Sequence, residues 1–175
     1  YCDRLNTVFK PSFLNDRIGD MSSYIEDIIP IHQERWPWSA QDWGYHIEIL
    51  ENFADNRSLY ARQHLSSFFR LSSPALVTFI SSLGGNIKVN TLELESYPWN
   101  GYYYSSVPIE IEAIPEEGYR FIGWAQYPDS TSKIKVQISN NSMITALFEE
   151  LAGGDTVNLV INEINYNSCL LYTSP

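Results

Sequence analysis

The apolar positions of this chain change rhythm midway. From Ile18 onward, Ile18, Met21, Ile25, Ile28 and Ile29 recur at helical three- and four-residue steps, while Asp20, Ser23, Glu26 and Asp27 fill the opposite face. That pattern predicts an amphipathic helix ending before Pro30 or shortly after it. Trp43, Ile47, Leu50 and Phe53 form one face of a second helix, with Ser39 or Asp42 as its N-cap. A third helix is expected from about Arg57, with Leu59, Leu65, Phe68 and Phe69 as its apolar set. Short connections between the three predict an antiparallel helical layer.

The helical pattern breaks at Leu71 to Pro74, and beyond Gly84 the period becomes two. Ile87 and Val89 alternate with Asn86, Lys88 and Asn90, and Val107, Ile109, Ile111 and Ala113 alternate with Glu110 and Glu112. Half-buried strands have this alternation. Ile134, Val136 and Ile138 repeat it, Asn140-Asn141 supplies a turn, and Met143 to Phe148 is apolar on both faces, as an internal strand would be. The fold class is therefore α+β, a three-helix layer over residues 1–72 followed by a small antiparallel β domain over 84–150. Gly153, Gly154 and Asp155 read as a link. Beyond it, Val157 to Ile164 reads as one further strand, either poorly ordered or docked on the β domain.

Composition narrows the partners. With 175 residues and 44% hydrophobic side chains the chain has apolar material for a core. A net charge of −10 argues against nucleic acid and anionic membrane surfaces, which favour an excess of Lys and Arg. Cys2 and Cys169 are the two cysteines, and no Cys/His spacing suits zinc. No apolar run is long enough to cross a membrane. The chain opens at Tyr1 inside what already reads as a helix, without an initiating Met or a leader, so a fragment of a longer protein is expected.

Residues YCDRLNTVFKPSFLNDRIGDM and EDIIPIHQERWPWSAQDWGYHIEILENFADNRSLYARQHLSSFF resemble the C-terminal end of the CotH family, atypical kinases of the spore coat protein H type. The likeness rests on Arg35-Trp36, the further tryptophan at 43, and the helix from Arg57 to Phe69. It implies that residues 1–72 are the closing helices of a kinase-like lobe. It also implies that an intact parent binds ATP and a divalent metal and phosphorylates proteins. The family's ATP-binding and catalytic segments would precede Tyr1, so the resemblance assigns no catalytic, cofactor-binding or metal residue here and makes an upstream kinase lobe the first partner.

The stretch GGNIKVNTLELESYPWNGYYYSSVPIEIEAIPEEGYRFIGW with TSKIKVQISNNSMITALFEE resembles the divergent B-repeat of internalin-type bacterial surface proteins. Ala113, Pro115, Gly118, Tyr119, Phe121 and Trp124 carry the likeness, which implies a turn glycine after the strand end and a tryptophan closing the core. VNLVINEINYNS, residues 157–168, is similar to the first strand of a lamin-tail-type domain. Together these imply a secreted or cell-surface bacterial protein. The final CLLYTSP, residues 169–175, resembles a translated transposon end used in preparing sequencing libraries, which implies an assembly artefact and removes Cys169 from physical argument.

Candidate chemistry lies mainly in aromatic clusters. Trp36, Trp38 and Trp43 could form a ring platform for a sugar or base, but their positions at a helix end and a helix start favour burial of Trp36 and Trp43 at a corner, with Trp38 the most exposed. Tyr97, Trp99, Tyr102, Tyr103 and Tyr104 flank Asn100-Gly101 in a turn-like stretch, where a loop would present them to glycan or protein. His32, His46 and His64 with Glu34, Glu48 and Glu51 lack the spacing of a metal or acid-base set and read as surface residues. Glu110, Glu112, Glu116 and Glu117 read as a solvated face, since a calcium loop would need a DxDxDG-like order. Asn56-Arg57-Ser58 and Asn140-Asn141-Ser142 are acceptor-type sequons of little consequence in a bacterial chain.

Overall fold

A computed structural model describes residues 1–37, 43–128 and 130–151. Its helices are α1 (Cys2–Leu5), α2 (Pro11–Glu26), α3 (Ile29–Arg35) and α4 (Trp43–Phe69). Proline opens two of them, α2 and α3. Pro11 opens α2 and Pro30 lies in the first turn of α3, where the missing N–H costs no helical hydrogen bond. The helix predicted from Ile18 begins earlier, at Pro11, and ends before Pro30, at Glu26, with α3 starting separately at Ile29.

The expected second and third helices are one helix of 27 residues. Between Phe53 and Leu59 the sequence holds no Pro or Gly, so nothing ends the ladder where the apolar face shifts. It stops at Arg70, whose φ of 54° is left-handed, and the Leu71 N–H returns to the Ser66 carbonyl at 3.0 Å. α2 packs along α4. The buried residues of α4 are all small, Ala54, Ser58 and Ala61, at four- and three-residue steps on one face. Such a face allows close approach of a neighbouring helix, yet α2 contributes no buried residue.

The second part is a sandwich of two four-stranded sheets. Its strands are β1 (Pro74–Ser81), β2 (Gly85–Val89), β3 (Leu92–Leu94), β4 (Trp99–Tyr104), β5 (Ile109–Pro115), β6 (Tyr119–Trp124), β7 (Lys133–Val136) and β8 (Ser142–Glu150). One sheet has the order β4-β1-β8-β6 and the other β3-β2-β5-β7. β1 precedes the expected start at residue 84. It is flanked on both sides within its sheet; Ala75, Val77 and Phe79 turn inward, while Leu76 and Ile80 on the other face are half-buried.

The pairing of β1 with β8 is parallel, Phe79 facing Ile144, which departs from the all-antiparallel expectation. The other pairs are antiparallel. Asn140-Asn141 consequently carries the chain from one sheet to the other rather than closing a hairpin, and Asn141 Oδ1 accepts the Leu76 N–H at 3.0 Å. The alternation expected from sequence does place the core: Ile87, Val89, Ile109, Ile111, Ala113, Val136, Ile144, Ala146 and Phe148 are buried. β8 is internal, as its two apolar faces implied. Among the described residues no helix is long and apolar enough to cross a membrane.

Candidate functional site

The two parts meet at α1. Asp3, one turn into the chain, accepts hydrogen bonds from Tyr103 Oη (3.2 Å) and Asn90 Nδ2 (3.2 Å) through Oδ1, and from Thr91 Oγ1 (3.3 Å) through Oδ2. Asn6, 4% exposed, bonds both backbone groups of Tyr102 on the open edge of β4. Arg62 of α4 donates from Nη2 to the Leu5 carbonyl (3.1 Å) and to Asn6 Oδ1 (2.9 Å), and its guanidinium carbon lies 5.0 Å from the centre of the Tyr102 ring. Tyr104 Oη donates to the Arg62 carbonyl at 2.8 Å.

Burial sets the electrostatics of this junction. It pushes the Tyr103 hydroxyl well above its ordinary range, with the Asp3 carboxylate adding to the effect. Burial likewise raises Tyr104 and the Cys2 thiol and lowers the Arg62 guanidinium. Asp3, Asn6 and Arg62 carry no sequence signal of their own, because the hydrogen-bond partners of their side chains lie 56 to 100 residues away.

The tyrosine-rich stretch is a strand, not a loop. Tyr103 and Tyr104 are 1% and 3% exposed, and Trp99 packs on Phe79 with ring centres 5.8 Å apart. Tyr97 Oη accepts the Ile87 N–H and donates to the Leu94 carbonyl at 3.1 Å. Alternation along β4 sets Tyr102 and Tyr104 on the face opposite Tyr103; Tyr104 is buried with its hydroxyl on the Arg62 carbonyl, and one ring of the two stays outside. Tyr102 does, at 44% exposure.

The tryptophan expectation is corrected in the other direction. Trp36 ends α3 at 56% exposure, against the Arg35 guanidinium at 5.9 Å, and Trp43 is half-buried. Trp38 lies outside the described residues, as do residues 152–175 with the link, the further strand, the lamin-tail-like stretch and Cys169.

His32, His46, His64, Glu34, Glu48 and Glu51 are all exposed on the helices. Among the described residues no group of His, Cys, Asp or Glu is arranged to hold a metal ion. Glu110 and Glu112 on β5 face Lys133 of β7 at 2.8 and 3.6 Å, and the Lys133 hydrogen bond lowers the Glu110 carboxyl. Glu116 and Glu117 are exposed in the turn before Gly118, whose φ is 83°. Trp124 is 3% exposed and donates its Nε1–H to the Thr131 carbonyl at 3.1 Å, so the tryptophan does close the sandwich.

Residues 86–152 match the family model described as the divergent InlB B-repeat domain. The match begins inside β2 and takes in every later strand, leaving β1 and the helices outside it. Comparison of the chain with curated proteins and with solved structures gives no match.

Proposed function

We propose that this chain couples a bacterial surface module of the B-repeat type to the closing helices of a CotH-like kinase domain, and that the helices serve as a docking layer for the catalytic lobe. One observation carries the docking: the helices are apolar on the outside. Tyr24, Ile31, Tyr45, Phe53, Leu59 and Phe68 are each more than half exposed. Among the described residues of the helical part, the buried apolar ones are only Leu5, Ala54 and Ala61. The sandwich, by contrast, encloses a continuous core from Ala75 to Phe148. Exposed apolar surface on this scale marks a contact with another domain.

The sequence resemblance of residues 1–72 supports a kinase lobe as that domain, and ATP and a divalent metal would belong to it. The described residues of this chain offer no cluster that would hold the metal, and no chemical step is assigned to them. The B-repeat match supports placement at the bacterial cell surface. The lamin-tail resemblance of residues 157–168 fits the same modular layout.

A second reading, a non-catalytic adhesion or spacer module binding glycan or protein through the β domain, rests on the exposed Tyr102 ring at the junction. The two separate by experiment. The chain and a version extended through its upstream reading frame are assayed for ATP-dependent phosphorylation with Mg²⁺ or Mn²⁺. Activity only in the extended protein supports the docking role. Activity in neither leaves adhesion as the function, and activity in the chain alone overturns the placement of the catalytic groups upstream.

A further inference from the structure

Where the end of α4 meets the start of β1 and the outer edge of β4, a cleft of about 500 Å³ opens. Its walls include Leu59, Arg62, Gln63, Ser67, Ser73 and Tyr102. In this strongly acidic chain, Arg62 has no carboxylate partner among the described ion pairs. Its Nη2 is committed to Leu5 and Asn6, while no partner is found for Nε or Nη1 among the described residues. A half-buried cation without a counter-charge is held at a cost that an arriving anion would relieve.

The surroundings restrict the anion. One guanidinium stands among neutral hydroxyl and amide groups, and the net charge of −10 repels densely charged polyanions, so an isolated carboxylate, one to a sugar ring, fits better than a polyphosphate or a nucleic acid. Ser67, Ser73 and Gln63 offer donors and acceptors suited to hydroxyl groups. Tyr102, 44% exposed, and Leu59, 52% exposed, offer apolar area to a ring face. We infer that this cleft binds an acidic sugar, its carboxylate on Arg62 and its ring against Tyr102. The inference stands whether or not the helices belong to a kinase domain.

The test titrates the ¹⁵N-labelled full chain with digalacturonate, with neutral galactobiose and with acetate, following the Arg62 Nε–H and the amides of Ser67 and Tyr102. Saturable shifts with digalacturonate alone are expected, weakening as salt is raised. Ser67→Asp places a like charge at the exposed rim and should weaken binding about tenfold, and Tyr102→Ser should do the same by removing the ring. Circular dichroism and thermal melting establish that both variants fold. Equal response to acetate would make the cleft a bare anion site, equal response to galactobiose would remove the role of Arg62, and no response to digalacturonate would remove the site. Each of these overturns the inference, as does undiminished binding by both folded variants.

Discussion

The side chain of Asn6 closes the open edge of β4 by bonding both backbone groups of Tyr102: Nδ2 donates to its carbonyl at 3.1 Å, and Oδ1 accepts its N–H at 3.0 Å. An edge strand otherwise presents these groups to solvent or to another chain. A primary amide satisfies both at once, as a neighbouring strand would. Since Arg62 holds the same Oδ1, the bond ties α1, α4 and the sandwich into one joint. Asn6→Ala should cost about 2–3 kcal/mol through these lost and orphaned bonds. In calorimetry the helical part should then melt before the sandwich. A single transition at the original temperature would show that the joint is not needed for coupling.

Glycines at the sheet ends give a graded series. A methyl built on Gly84 would fall inside the Tyr119 ring, and the φ of 95° already disfavours a side chain there. Gly85 has ordinary backbone, but its methyl would enter the Phe148 ring. Gly118, at φ 83°, has open space around it and only the backbone penalty. Gly118→Ala should therefore cost about 1 kcal/mol, Gly85→Ala about 1–3 kcal/mol by overpacking, and Gly84→Ala the most. Urea denaturation ranks the three. Gly118→Ala as the worst of them would contradict the packing argued for Tyr119 and Phe148.

Local rhythm made the sandwich core legible. Ile87, Val89, Ile109 and Ile111 alternate with polar neighbours because each strand has one face on the core, and their burial follows directly. β1 escaped because apolar Leu76 and Ile80 stand half-buried on its outer face, so its sequence does not alternate although its burial does. The joint at Asn6 was invisible for a different reason: its bonds span 96 residues, and nothing near Asn6 in sequence marks it. The place of Trp36 at a helix end does not say which face the next helix turns inward, and α4 turns Ala54, Ser58 and Ala61 inward rather than its large side chains. The tyrosines from 102 to 104 looked loop-borne beside Asn100-Gly101, yet pairing with β1 draws Gly101 opposite Val77 and makes them a strand.

Tyr103 predicts an alkaline limit to stability. Its hydroxyl is 1% exposed and hydrogen-bonded to Asp3, which keeps it protonated in the folded state far above the range in which a free tyrosine ionises. The unfolded chain releases that proton from about pH 10. Above that point the unfolded state binds fewer protons than the folded one, so stability is intact below about pH 10 and falls with rising pH, by up to about 1.4 kcal/mol per unit for this residue. Tyr103→Phe should flatten the decline between pH 10 and 12, with melting followed at each pH. An unchanged slope would mean that Tyr103 is already ionised in the folded protein.

Ile49, Phe53 and Tyr60 share a face of α4, and a shallow hollow between them also includes Asn52, Asn56 and Arg57. All three are about half exposed, and Phe53 lies under the Arg57 guanidinium at 5.8 Å. In the chain alone, replacing the three by Gln should change stability by less than about 0.5 kcal/mol per site, since little packing is lost. In a protein extended upstream the same changes should cost about 1.5–3 kcal/mol for each side chain that becomes fully buried against the preceding domain. Melting of both versions, with sedimentation of the short one, makes the comparison. If the short chain sediments as a dimer that the triple substitution dissociates, a second copy occupies the face, and the docking role proposed for the helices fails.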